Sequence, residues 1–211
     1  MKMTPVRNSV RLAACVVFLA MLAAAIPTQA IAAERDEEIP MPLYNQYDYA
    51  GVPYRNSDVA GCGCGITCLS MVATYIFQDE SLTPEYLART YGNHFEPVDG
   101  VDYDSLMSMM VSIGELLGLE MDLTWSFSEA VEALEEGKVV ISIQNEGLFT
   151  DKPNGHFIVF RGVTEAGDIL VNDPNGYTWS RYPTWFANGF PQANLRDTGG
   201  GYWIVTKAST N

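Results

Sequence analysis

The spacing of the hydrophobic residues changes once along the chain, and this change limits the folds that the sequence can adopt. Before about residue 138, apolar side chains recur at the three- and four-residue spacing of amphipathic helices. After that point they fall into short runs rich in β-branched and aromatic residues, which is typical of strands. Helices followed by antiparallel strands predict an α+β fold.

Four helices are predicted in the first part, at about 65–77, 83–92, 103–118 and 128–137. The second has Thr83 as its N-cap, Pro84 at its first position and Gly92 at its end. The fourth is predicted to begin at Ser128 as N-cap and to stop at Gly137.

The strands are predicted at 139–143, 156–163, 168–172 and 202–206. The segment TEAGD reads as the hairpin turn between the second and the third strand. The segment from residue 174 to residue 201 is rich in aromatic residues and is predicted to be a long loop region that covers the sheet or lines a cleft.

The N-terminus has the layout of a secretory signal peptide. Three basic residues precede an apolar stretch at 12–26, and an Ala30-x-Ala32 pattern follows, so cleavage is expected after Ala32 or Ala33. The alternative is an uncleaved membrane anchor, although the apolar stretch is shorter than the about 20 residues that a spanning helix needs. We therefore expect a secreted or extracytoplasmic protein.

The chain after Ala33 is strongly acidic. It holds all 26 acidic residues and all but three of the 12 basic ones, so its formal net charge is −17. Such a charge disfavours binding to nucleic acid and to anionic membranes, and we expect neither as a stable partner after signal cleavage. Residues 34–40 form a charged lead-in, and residues 41–211 have a size that is usual for one domain.

Three cysteines lie close together in the segment GCGCGITCLSMV, at positions 62, 64 and 68. The fourth cysteine, Cys15, lies in the predicted signal peptide, so three remain after cleavage, and an odd number in an exported protein leaves at least one thiol outside any intramolecular disulfide. A labile disulfide between Cys62 and Cys64, and a zinc site in which a histidine joins the three thiols, are the alternatives. The C-x-C-x3-C spacing lacks a second zinc knuckle, so we expect no metal and no cofactor.

Cys64 is the strongest candidate for a reactive thiolate. It lies where the glycine-rich segment meets the first predicted helix, and N–H groups at a helix N-terminus lower a thiol pKa from about 8.5. Cys68 lies one turn further along the apolar face and is expected to be a small core residue. Cys62 lies in the preceding loop without such support.

The sequence has two histidines, His94 and His156. His94 lies in a polar turn between predicted helices, where a solvated loop residue is expected. His156 opens a predicted strand directly after Gly155, which suits a general base at the rim of a cleft.

The predicted hairpin offers His156 a carboxylate partner. With the turn centred near residues 165–166, Asp173 lies opposite Ile158 and diagonal to His156 on the same face of the sheet. A slip of one residue in register would bring Asn172 there instead. Either side chain would accept the ring N–H and hold the imidazole in one tautomer.

These residues resemble those of the C39-like cysteine peptidases, a branch of the papain-like fold. The segment GCGITCLSMV is similar to the family's G-C-G-P-T-S-x-A-M-V nucleophile segment, and GHFIVFRGVTEAGDILVNDP is similar to its histidine and aspartate block. The segment MPLYNQYDY resembles the N-terminal segment, whose glutamine helps to form the oxyanion hole. The resemblance implies Cys64 as nucleophile, His156 as base, Asp173 as its orienting partner and Gln46 as oxyanion donor.

The resemblance also implies a fold in which the nucleophile helix packs on a C-terminal antiparallel sheet. The implied function is a secreted cysteine peptidase that cleaves peptide amide bonds in a peptide or protein substrate through an acyl-enzyme. A thiol-dependent acyl transferase and an inactive papain-like binding module are the alternatives. Two features depart from the family: Ile66 stands where proline is usual, and an export signal replaces the transporter to which leader-processing members are fused.

Overall fold

The computed structural model describes residues 40–92 and 105–209. The predicted signal peptide, the start of the third predicted helix and His94 lie outside these residues. The described helices are α1 (Val59–Cys62), α2 (Cys64–Phe77), α3 (Pro84–Tyr91), α4 (Ser105–Leu117), α5 (Phe127–Glu135), α6 (Gly176–Arg181), α7 (Pro183–Asn188) and α8 (Gln192–Arg196). The described strands are β1 (Pro53–Tyr54), β2 (Ser57–Asp58), β3 (Leu119–Thr124), β4 (Val139–Gln144), β5 (His156–Val163), β6 (Ile169–Asn172) and β7 (Gly199–Lys207).

The main sheet has the order β3-β7-β4-β5-β6, and each pair of neighbours is antiparallel. Strands β1 and β2 form a separate short antiparallel pair. The predicted α+β class is therefore confirmed. Strand β3 is absent from the prediction, because it is an edge strand whose mixed charged and apolar residues are largely exposed and carry little strand signal.

Alternation along the central strands separates two hydrophobic clusters, one on each face of the sheet. One face contributes Ile141, Phe157 and Trp203 to the cluster that includes the buried residues of α2, α3 and α4. The other face contributes Ile158 and Phe160 to a second cluster, which includes α5 and the aromatic residues that follow β6. Residues 65–74 of α2 are all buried, and the expected packing of this helix on the sheet is confirmed.

Most predicted element boundaries agree with the structure, and the start of α5 is corrected. Its N-cap is Ser126, not Ser128, and the Ser126 hydroxyl accepts a hydrogen bond from the Glu129 N–H at 3.3 Å. The sequence S-F-S-E favours the earlier serine, because a capping residue pairs best with an acidic residue three positions later. In α3, Thr83 is the N-cap and Gly92 the C-cap, as predicted.

The predicted aromatic loop region is also more ordered than expected. It contains the short helices α6, α7 and α8 before β7 begins at Gly199. Among the described residues, none of the helices has the length and apolar character required to cross a bilayer.

Candidate active site

Cys64 is the first residue of α2, at a sharp corner between two helices. Gly63 is both the C-cap of α1 and the N-cap of α2. A Cβ on Gly63 would lie 2.4 Å from the carbonyl oxygen of Val59, so a side chain does not fit at this corner. Gly65 packs against the ring of Phe157, where an added Cβ would meet Cδ2 at 3.4 Å. Small residues thus let the start of α2 approach β5 closely.

His156 is the first residue of β5, directly beside that contact. It follows Gly155, which has φ +72° and whose added Cβ would lie 2.9 Å from Cγ1 of Ile143. Both the left-handed backbone and the close approach favour glycine here. The chain can therefore turn into β5 and bring the histidine next to Cys64.

The Cys64 thiol and the His156 ring lie close enough for each group to shift the pKa of the other. Burial raises the pKa of Cys64, but the hydrogen bond and charge of His156, with the N–H groups of Phe157 and Gly65, bring that pKa below its ordinary value. Burial lowers the pKa of His156, but hydrogen bonds to Asp173 and Cys64 raise it to about 10. Each partner stabilises the charged form of the other, so their proximity favours the thiolate–imidazolium form of the pair.

Asp173 accepts the hydrogen bond of the other ring nitrogen, with 2.6 Å between His156 Nε2 and Oδ1. The predicted register places it there: Val159 pairs with Asn172, which sets Asp173 one residue further on, on the face of His156. The Asn172 side chain instead donates to the carbonyl oxygen of Pro42 at 3.0 Å. The structure thus brings Asp173, and not Asn172, to the histidine.

The carboxylate of Asp173 has no solvent exposure and is held on both oxygens. Oδ1 also accepts the N–H of Asn175 at 2.8 Å, and Oδ2 accepts the hydroxyl of Thr178. The indole N–H of Trp179 donates to the main-chain carbonyl of Asp173 at 2.8 Å. These contacts fix the acceptor that orients His156.

Thr178 and Trp179 are absent from the sequence prediction, because residues 174–201 were interpreted as loop. A local signal existed. Asn175 caps α6 through its side chain, which accepts the Tyr177 N–H, and the N-G-Y-T run after Asp173 is compatible with such a cap. A helix starting at Gly176 would have placed a threonine one turn inside it, near the end of β6.

Gln46 lies in a 3-10 turn at Gln46–Tyr49 and is 6% exposed. Its backbone N–H donates to the carbonyl oxygen of Pro174 at 2.8 Å, and its side-chain Nε2 donates to that of Ala60 at 2.8 Å. These bonds tie the residue to the segment after β6 and to α1. The second Nε2 hydrogen is left for another acceptor, and Gln46 lines the same cleft as Cys64 and His156.

The other two thiols have different surroundings. Cys68 is fully buried in the core, and burial raises its pKa well above the ordinary value. Cys62 is half-buried, and burial raises the pKa of its thiol. Its sulfur lies 3.6 Å from the carbonyl oxygen of Tyr54 and 3.5 Å from that of Asp58. All three are free cysteines. Within residues 40–92 and 105–209, no group of three or more potential metal ligands is assembled.

Cys64, His156 and Gln46 open into a cleft with a volume of about 540 Å³. One part of its lining is the loop between β4 and β5, and another is α6, including Tyr177 and Arg181. The ring of Tyr177 lies 5.0 Å from that of Tyr47, which follows Gln46. The arrangement can admit an extended chain to the half-buried thiol of Cys64.

Comparison with protein families identifies the family of this chain. A model described as the Peptidase_C39 like family matches residues 38–203. The chain belongs to the C39-like peptidase family. The match spans all three segments on which the resemblance rested, and it confirms that resemblance. In this member of the family, Ile66 at the usual proline position is 1% exposed and is part of the core around α2.

Two solved structures are similar to this family member at 15% identity. One is the peptidase domain of Streptococcus ComA, a bi-functional ABC transporter involved in a quorum-sensing pathway, with a TM-score of 0.48 and coverage of 71% of this chain and 93% of that chain. The other is described as a C39-like peptidase from Bacillus anthracis, with a TM-score of 0.46 and coverage of 80% and 96%. No curated protein matches the sequence.

Proposed function

We propose that this C39-like family member is a secreted cysteine peptidase with Cys64 as nucleophile, His156 as general acid and base, Asp173 as the orienting partner of His156, and Gln46 as oxyanion donor. The observation that carries the proposal is the hydrogen bond from His156 to the buried Asp173, with Cys64 and His156 side by side in the lining of one cleft. A thiol that serves only packing needs neither a lowered pKa nor an oriented base.

The reaction follows from the charges of the pair. The Cys64 thiolate attacks the carbonyl carbon of a peptide bond, a C–S bond forms and the carbonyl electrons move to oxygen. The resulting oxyanion accepts hydrogen bonds from Nε2 of Gln46 and from the N–H of Cys64, which has no intrahelical acceptor at the first helical position. When the C–N bond breaks, the imidazolium of His156 gives its proton to the leaving amine.

Water completes the cycle. His156, now neutral, takes a proton from a water molecule that attacks the thioester. The acid product leaves, and the thiolate–imidazolium pair forms again. An amine in place of water would make the same acyl-enzyme a transferase, so the products decide between the two reactions.

The test is a product analysis with matched variants. The protein from residue 34 onwards is incubated with a peptide library, and the products are measured by mass spectrometry. New free N- and C-termini are expected with the wild type and are expected to be lost in Cys64→Ala and His156→Ala. Cys68→Ser is the matched thiol control and should retain most of the activity. Cleavage that persists in Cys64→Ala would reject the proposed nucleophile.

Secretion has its own measurement. Expression of the full chain with a C-terminal tag, followed by N-terminal sequencing of the exported protein, should give a start directly after Ala32 or Ala33. An intact N-terminus in the membrane fraction would support the anchor instead.

A further inference from the structure

The topology places two chain segments on either side of His156. The loop that joins β4 to β5 ends at His156, and α6 begins four residues after the end of β6, at the same end of the sheet. Both segments line the cleft that contains Cys64. Side chains on these segments therefore face a substrate bound next to the thiol.

Each segment contributes an exposed cation to the cleft, Lys152 from the loop and Arg181 from α6. Tyr177 and Arg181 are four residues apart on α6, a spacing that puts both side chains on one face of the helix, and both line the cleft. Among the described residues, neither the ammonium of Lys152 nor the guanidinium of Arg181 has a carboxylate within ion-pair distance.

Most of the other cations in the described chain contact a carboxylate or an aromatic ring. Three are paired with carboxylates, at 2.7 to 3.0 Å: Arg89 with Glu85, Lys138 with Glu136, and Arg196 with Asp197. A fourth, Lys207, lies over the ring of Phe77. The full chain has a formal net charge of −14. Two cations without an acidic partner in one cleft are unusual on such an acidic protein. The described lining of the cleft contains one further acidic residue, Asp151, and one further basic residue, His156.

We propose that Lys152 and Arg181 bind a carboxylate of the substrate beside the scissile bond, so that the enzyme prefers peptides with an acidic side chain or a free C-terminus at that position. The substrate class rests on the proposed peptidase function. A guanidinium can hold a carboxylate through two parallel hydrogen bonds, and an ammonium adds a second positive charge. The negative charge of the rest of the chain is screened beyond about 8 Å at physiological ionic strength, so the nearby cations dominate in the cleft.

A pair of alkylating reagents tests the charge of the cleft without any peptide. Iodoacetate and iodoacetamide form the same S–C bond with Cys64 and release the same iodide, but only the first carries a carboxylate. The measured quantity is the rate constant of iodoacetate at Cys64 divided by that of iodoacetamide. Arg181→Gln and Lys152→Gln should each lower this ratio about two- to fivefold, the range of an exposed ion pair. Asp151→Asn should raise it.

Arg196→Gln is the matched control, because it removes one positive charge from the same chain outside the cleft lining. It should leave the ratio unchanged. A ratio that is insensitive to both Arg181→Gln and Lys152→Gln, or that falls equally in Arg196→Gln, would overturn the proposal while leaving the reactive thiol intact.

Peptide binding separates the two sources of the carboxylate and needs no turnover. Peptides of one sequence are prepared with glutamate or glutamine at one position and with a free or an amidated C-terminus, and their affinity is measured for the Cys64→Ala variant. One of the anionic peptides should bind more tightly than the neutral one, and Arg181→Gln in the same background should remove the difference. Equal affinity of all peptides would reject the carboxylate site, whereas failure of catalysis alone would reject only the peptidase function.

Discussion

Nε2 of His156 lies 2.6 Å from Oδ1 of Asp173, and the carboxylate has no exposure to solvent. This single hydrogen bond leaves Nδ1 of the ring for Cys64 and raises the pKa of the imidazole. The orientation of the ring therefore depends on Asp173, and its charge depends on Asp173 together with Cys64, so the variants of Asp173 separate these two effects.

Asp173→Asn should retain more turnover than Asp173→Ala. The amide oxygen of asparagine can still accept the ring N–H and keep the tautomer, although the negative charge is lost, whereas alanine frees the ring altogether. We expect kcat to fall at least about 10²-fold in Asp173→Ala, the range of a lost general base. Equal kcat values for the two variants, measured on one reporter peptide, would argue against an orienting role.

Thr178 holds the second oxygen of that carboxylate, so its hydroxyl should matter for the pH dependence of turnover. Thr178→Val has nearly the same shape but leaves Oδ2 without its donor, and the hold of Asp173 on His156 loosens. The alkaline limb of kcat/KM, set by loss of the His156 proton near pH 10, should then move to lower pH. Thr178→Ser should return the alkaline limb to its wild-type pH. A uniform loss of activity without a shift of the limb would indicate a structural role for Thr178.

The three thiols should react in a fixed order, with Cys64 first, Cys62 later and Cys68 only on unfolding. Cys64 has a lowered pKa, whereas burial raises that of the other two. Because the thiolate is the reactive form, alkylation of Cys64 should remain fast at about pH 7, below the ordinary thiol pKa of about 8.5. The measurement is peptide mapping after timed iodoacetamide treatment, and similar rates at all three sites would contradict the assignment.

His156→Ala should abolish turnover and also slow the alkylation of Cys64 at about pH 7. The thiolate loses the hydrogen bond and the positive charge that lower its pKa, so that pKa rises and less thiolate is present. The slowing should disappear at high pH, where the thiol is ionised without help. His94→Ala is the matched control and is expected to change neither rate.

Gln46 should matter for turnover but not for thiol reactivity. Besides its hydrogen bond to the carbonyl oxygen of Ala60, its side chain is expected to contact the developing oxyanion, which alkylation by iodoacetamide does not form. Gln46→Ala should therefore lower kcat about 10²-fold with little change in KM, and leave the alkylation rate of Cys64 unchanged. If both rates fell together, Gln46 would be supporting the helix start rather than the oxyanion.

The site residues that the sequence predicted share a local signal. Cys64 stands where glycines meet an apolar helical run, and His156 stands where a glycine precedes a strand. The hairpin narrows the partner of His156 to Asp173 or Asn172, and a register shift between Phe160 and Gly162 in the structure selects Asp173. Each of these inferences uses residues close together in the chain or one hairpin, and the geometry agrees with all three positions.

Gln46 is different, since its placement depends on contacts between distant segments. Its neighbour Asn45 accepts the N–H of Gly176 at 3.2 Å, and Pro42 accepts the side chain of Asn172. Nothing in the nine residues around Gln46 encodes these partners, and it was the resemblance to a family that pointed to this residue. Strand β3 is a similar case, because pairing with β7 stabilises a segment with a weak strand signal of its own.

The sequence alone determined the α+β class and the helix that begins at Cys64, and it narrowed the partner of His156 to Asp173 or Asn172, because spacing, capping and turn chemistry act over a few residues. The tertiary structure decided that the Thr178 hydroxyl reaches the buried carboxylate, that the Gln46 side chain lies at α1, and that Lys152 and Arg181 line one cleft. These relationships join segments far apart in the chain. They exist only once the two faces of the sheet have been covered and the loops at its end have been brought together.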